Sequence, residues 1–144
     1  MYGINKQLVN KLQKFQNTAA RLITRTKKFD HVTPILKDLH WLPVEYRSQY
    51  KILLFVYKAL NNCAPNYLND LFKIYSPPRS LRSQNSFLLD VPKIRTVKYG
   101  SRRFDYAAAS LWNSLPLCLK HSRSVSVFKI GLKTHLFGLA YDRI

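Results

Sequence analysis

The chain is short of acid. Its 144 residues hold 24 Lys and Arg against 7 Asp and Glu, a formal net charge of +17, and Glu45 is the sole glutamate. The acids are Asp30, Asp38, Glu45, Asp70, Asp90, Asp105 and Asp142, so no two lie nearer than seven positions. Two-metal polymerases and nucleases need clustered carboxylates to hold their cations, and helix caps and surface charges are the expected roles here. Two cysteines, Cys63 and Cys118, stand 55 positions apart without a C-x-x-C pair or a histidine doublet, which excludes a recognisable zinc motif. Buried free thiols in a reducing compartment are expected instead. Four glycines leave no phosphate-cradling loop. His31, His40, His121 and His135 are scattered, and no serine sits in a G-x-S-x-G elbow. These gaps predict a chain that is not an enzyme, with no metal, no cofactor and no small-molecule substrate. The start, MYGINKQLVNKLQKFQ, has no apolar signal region. The longest apolar run, Ile52 to Tyr57, is far below the ~20 residues that span a bilayer. A soluble, intracellular protein is expected, with nucleus and cytoplasm not distinguished.

What is present argues for a folded chain. Hydrophobic residues make up 47% and aromatics 13%, too rich for the disorder that the charge alone would suggest. A chain of this length buries roughly 68–70% of its unfolded surface, so residues 1–144 are expected to form one helical domain. The cation surplus opposes compaction unless a polyanion neutralises it. Basic residues spread over several elements, which favours nucleic acid over a membrane surface.

From Lys6 to Lys27, Leu8, Leu12, Phe15, Ala19 and Leu22 recur at spacings of four and three, in one narrow stripe of a helix. Lys11, Lys14, Arg21, Arg25 and Lys28 follow a similar period on an adjacent face, and the first 29 residues contain no acid. Thr33-Pro34 reads as a cap followed by proline at the first helical position, opening a short helix through Ile35, Leu36 and Leu39. Pro43 starts a central core helix to about Asn61, with Tyr46, Tyr50, Leu53, Val56, Tyr57 and Leu60 on one arc and Glu45 in its first turn, matching the dipole. Pro65 begins a short helix carrying Leu68, Leu71 and Phe72 inward, and Pro77-Pro78 breaks the chain. Phe87 to Val91 and Ile94 to Tyr99 are β-prone runs around Pro92. Ser101 is placed to cap a helix with Phe104, Ala108, Leu111 and Leu115 inward, closed by Pro116. A last helix runs near Ser126 to Phe137 with Phe128, Leu132 and Leu136 inward and Gly138 as its stop. The expected fold is mainly α, a compact multi-helix domain with room for a small β-hairpin near residues 87–99.

The candidate nucleic-acid-binding residues are Lys11, Lys14, Arg21, Arg25, Lys28, Arg79, Arg82, Arg95, Lys98, Arg102 and Arg103, with Lys93 among them. Arg102 and Arg103 fall in the first turn of a predicted helix, where cations oppose the macrodipole unless an anion sits between them. Solvated side chains at a helix end are the competing account, and charge runs usually are solvated faces. Tyr75 and Tyr99 occupy loop positions that leave room to stack an unpaired base. His40 beside Trp41 reads as packing at a helix-to-helix corner rather than as a site.

Six stretches, in order, resemble the region downstream of the polymerase domain in non-LTR (LINE-like) retrotransposon reverse transcriptases. They are LQKFQNTAARLI (Leu12 to Ile23), LHWLPVEYR (Leu39 to Arg47), YKALNNCAPNYLNDL (Tyr57 to Leu71), RSLRS (Arg79 to Ser83), SLWNSLP (Ser110 to Pro116) and FKIGLKTHLF (Phe128 to Phe137). The resemblance spans nearly the whole chain. It implies a parent RNA-directed DNA polymerase whose palm carries a Tyr/Phe-Ala-Asp-Asp motif, missing from this sequence, so the family's catalytic residues map onto nothing here. It further implies a truncated C-terminal fragment that contacts RNA, DNA or their hybrid through phosphates, with the polymerase domain of a full-length element as a second partner. The alternative is a structural remnant without independent activity, whose helix faces are exposed where a missing part once covered them.

Overall fold

The computed structural model describes residues 5–77 and 86–142, without the side chains of Val97 and Lys98. The architecture is mainly α. In chain order the helices are α1 (Lys6–Thr24), α2 (Val32–Asp38), α3 (Val44–Leu60), α4 (Asn66–Asn69), α5 (Val97–Gly100), α6 (Phe104–Asn113), α7 (Leu117–Lys120) and α8 (Val125–Tyr141). The chain divides into two compact units, Met1–Tyr50 with Lys133–Ile144, and Lys51–Leu132.

The first unit is organised around a corner. Ala20 of α1, Ile35 and Leu36 of α2, and Tyr141 of α8 form its core, with Val32, Leu39, Trp41, Phe137 and Ala140 packed against them. After α2 the chain turns through His40 in the left-handed region (φ 52°), then enters α3 from Pro43. Two glutamines of α1 hold this corner. Gln16 Nε2 donates to the Leu42 carbonyl at 2.8 Å, and Gln13 Oε1 accepts from the Val44 N–H at 2.9 Å, one of the orphan donors at a helix start. Tyr141 donates its hydroxyl to the Trp41 carbonyl at 2.5 Å, and Tyr46 donates to the Leu139 carbonyl at 3.2 Å. The His40 ring stacks on Phe137 with centroids 6.0 Å apart, while the residue itself stays exposed rather than tucked in.

The second unit has an aromatic centre. Tyr57 and Phe128 stack with centroids 4.1 Å apart, and Trp112 lies 6.1 Å from Phe128. All three are buried with Leu53, Val56 and Leu132. Each polar handle is satisfied by backbone: Tyr57 donates to the Ser122 carbonyl at 2.6 Å, and Trp112 Nε1 to the Phe87 carbonyl at 2.8 Å. Leu89 forms an isolated antiparallel bridge with Ile74, closed by Tyr75 N–H to Leu88 C=O and Asp90 N–H to Lys73 C=O, both 2.8 Å. On the other side of Leu89 the Asn113 carboxamide takes the place of a strand, accepting from its N–H at 2.8 Å and donating to its carbonyl at 2.9 Å.

Several expectations are corrected. No hairpin spans residues 87–99: Leu89 is satisfied by Ile74 on one side and Asn113 on the other, and Val97–Gly100 form a helical turn. Helix α2 begins at Val32 with His31 as N-cap, so Thr33 and Pro34 lie inside its first turn, where proline's missing N–H costs nothing. Helix α8 runs through Gly138 to Tyr141, since the packing of Phe137 and Tyr141 (centroids 4.7 Å) outweighs the ~1 kcal/mol penalty of an interior glycine. Both cysteines are exposed rather than buried. Leu71, placed inward by its spacing, is exposed because α4 ends at Asn69 and the helical period with it.

Candidate nucleic-acid interface

Helix α1 positions the largest group of candidates. Asn5 caps it, its side chain accepting from the Gln7 N–H at 3.0 Å, and Arg25 closes it in the left-handed conformation, its N–H on the Arg21 carbonyl. Lys11, Lys14 and Arg25 are exposed on α1 and its cap, and Lys28 is exposed just beyond. At 1.5 Å per residue, Lys11 to Arg25 spans about 21 Å. One strand of duplex carries a phosphate every ~3.4 Å, so the row runs alongside about six phosphates of one strand. Arg21 is only half-exposed and partly engaged: it donates to the Asp30 carbonyl at 2.9 Å, and its Nε is buried without a partner. It tethers the loop after α1 more than it extends the ridge.

A second group lies in the other unit. Arg95 is exposed in the segment before α5, as is Lys93. Arg102 lies over the Tyr99 ring, 6.0 Å from its centroid, a cation–π arrangement, and Tyr99 is 66% exposed. An exposed ring backed by a guanidinium offers a stacking face with a charge beside it. Tyr75 is exposed as well.

Arg102 and Arg103 do not occupy the first turn of α6. The helix begins at Phe104 with Arg103, not Ser101, as N-cap, two residues later than expected. The conflict with the dipole is resolved within the chain, because Asp105 sits in the first turn and binds the Arg103 guanidinium through both oxygens, Nε to Oδ1 at 3.2 Å and Nη2 to Oδ2 at 2.6 Å. Burial would raise the Asp105 carboxyl. The Arg103 hydrogen bonds, the Tyr106 N–H and the Arg103 charge together outweigh it and hold the carboxyl below its ordinary value. Asp105 thus does for Arg103 what a phosphate was expected to do, and the Arg-Arg-Phe-Asp order already carried that signal. Arg103–Asp105 is the salt bridge formed among the described residues, so the remaining exposed cations face solvent without an acidic partner.

Arg79 and Arg82, with the rest of the Ser/Arg stretch, lie outside the described residues, and so does the Lys98 side chain. Among the described residues, no three His, Cys, Asp or Glu lie close enough together to hold a metal ion, and no helix is long and apolar enough to cross a membrane.

The outer face of α1 is the feature the stripe of apolar residues did not announce. Leu8 is 51% exposed, Phe15 74% and Leu22 79%, while Gln16 and Ala20 are the residues turned into the fold. The apolar stripe faces solvent, and the helix docks through Gln13, Gln16 and Ala20. Comparison with protein-family models, with curated proteins and with solved structures finds no match to this chain.

Proposed function

We propose that this chain is a non-catalytic module that binds nucleic acid through phosphates without reading base sequence, of the kind found at the C-terminal end of a non-LTR retrotransposon reverse transcriptase. The observation that carries it is the row of exposed, acid-free cations at Lys11, Lys14, Arg25 and Lys28. Phosphate contacts position a protein on a strand and supply affinity, whereas sequence is read at base edges. Lys and Arg dominate the candidates here. The resemblance of six segments to that reverse transcriptase region supports the same reading. Fluorescence anisotropy against single-stranded RNA, single-stranded DNA and duplex of several unrelated sequences tests it. Affinities should agree within about threefold across sequences of one strand type, far inside the ~1–3 kcal/mol that one mismatched pair costs a specific reader. Binding to one sequence alone would contradict the proposal.

One observation favours the second reading, a structural remnant. The exposed apolar face of α1 is what a helix shows when the part that covered it is elsewhere. Hydrogen exchange and thermal melting of the isolated chain separate the two: a cooperative transition supports an autonomous module, and broad, non-cooperative loss of structure supports the remnant.

A further inference from the structure

The outer stripe of α1 has a regular spacing. Leu8, Leu12, Phe15, Ala19 and Leu22 follow one another by four, three, four and three residues, the alternation of the d and a positions of a heptad, which keeps knobs in line against a facing helix. All five are exposed. On one flank Val9 and Gln16 turn into the fold, while Lys11, Lys14 and Arg25 stand exposed along the other. The inward face of the helix is already engaged, Ala20 in the core and Gln13 and Gln16 in hydrogen bonds, and the outward stripe remains exposed.

We propose that α1 is a docking seam for an amphipathic helix of a protein partner, one whose apolar seam is bordered by a row of Glu or Asp that meets Lys11, Lys14 and Arg25. The charge pattern selects this occupant. A second copy of the chain would set two acid-free helices side by side, each with its own cation row, and like charges across a helix pair destabilise it. A membrane surface takes a broad apolar arc on a helix lying free in the interface. Here one flank of the apolar face is committed to the fold through Gln16 and Ala20. Helix-on-helix recognition uses anchors at this spacing, and flanking charges choose the partner. The proposal shares Lys11, Lys14 and Arg25 with the nucleic-acid reading but rests on the stripe, whose residues are not among the phosphate-binding candidates, so loss of one binding activity through Phe15 or Leu22 is distinguishable from loss of the other.

The test uses the full chain and a labelled synthetic 21-residue helix with Leu at a and d and Glu at e and g, whose own charges keep it from pairing with itself. Two companions carry Lys at e and g, or Ala at a and d. The Glu–Leu peptide should bind at least about tenfold more tightly than either companion. Phe15→Ala and Leu22→Ala should each weaken it by about tenfold while leaving the helical circular dichroism and the RNA titration unchanged. Equal binding of all three peptides, or no binding of the Glu–Leu peptide, overturns the proposal. Undiminished binding by Phe15→Ala also overturns it, showing attraction to the cation row alone. Sedimentation equilibrium showing a dimer that Phe15→Ala dissociates would assign the seam to a second copy. Phe15-dependent co-sedimentation with phosphatidylserine vesicles, without peptide binding, would assign it to a membrane surface. Either result replaces the proposal.

Discussion

Replacing Asn113 by alanine should cost about 2–6 kcal/mol of folding stability, the sum of two unsatisfied buried groups at ~1–3 kcal/mol each. Leu89 is 2% exposed. Its bridge to Ile74 is closed by the flanking residues, Tyr75 N–H to Leu88 and Asp90 N–H to Lys73, so its own N–H and C=O point the other way. There the Asn113 carboxamide supplies both partners. Alanine removes donor and acceptor together, and any water entering the gap moves the cost toward the lower end. Asn113→Asp keeps the acceptor but leaves the Leu89 carbonyl without its donor and adds a charge, so it should not rescue. Ser126→Ala on an exposed position of α8 should stay within about 0.5 kcal/mol. Urea unfolding followed by circular dichroism measures all three, with the slope held constant to show that only stability has changed. A loss below about 0.5 kcal/mol for Asn113→Ala, the level of a neutral surface change, would refute the claim that this side chain acts as a strand.

Three further outcomes follow from particular contacts. Lys120 is 8% exposed, donates to the Asn113 carbonyl at 3.2 Å, and burial lowers its pKa; Lys120→Met should therefore stay within about 1.5 kcal/mol of the parent in a urea melt at pH 7, and a larger loss would show the amine bond to be essential. A Cβ at Gly100 would lie 2.7 Å from Ile94 Cβ, a stiff β-branched neighbour, so Gly100→Ala should cost about 1–3 kcal/mol, read in the same assay. The Asp105 carboxyl is held below its ordinary 3.8, so its contribution is present above that value and lost as pH falls through the lowered one. The stability gap between the parent and Asp105→Asn should be open at pH 5 and close toward pH 2, while at neutral pH the freed Arg103 should steepen the salt dependence of RNA binding by ~0.7.

Much of the helical order was legible in the sequence because prolines and spacing punctuate it: Pro43 opens α3, Pro116 closes α6, and the four-residue spacing of Phe128, Leu132 and Leu136 marks α8. The misses share a cause, which is that tertiary partners decide. Periodicity located the stripe of α1 but could not tell that Gln13 and Gln16 would find backbone groups at the Leu42–Val44 corner and turn the apolar side outward. The β-prone run at Phe87 to Val91 does form a bridge, but with Ile74 and the Asn113 side chain, neither of which a local pattern can name. Two of the resembling segments meet in such a contact, LQKFQNTAARLI supplying the glutamines and LHWLPVEYR the corner they hold, while SLWNSLP supplies the tryptophan and asparagine that fasten Phe87 and Leu89. For the candidate interface, charge marked the α1 row, whereas the engagement of Arg21 by the Asp30 carbonyl and of Arg103 by Asp105 required geometry.

The most direct test of the nucleic-acid reading is the salt dependence of binding by the parent chain and by a variant with Lys11, Lys14, Arg25 and Lys28 all replaced by alanine. If these four meet phosphates, the slope of log K against log salt should flatten by about 2.8 on single strands and about 3.6 on duplex, at ~0.7 and ~0.9 per contact. An unchanged slope, or a parent chain that ignores oligonucleotides in dilute buffer, would contradict it.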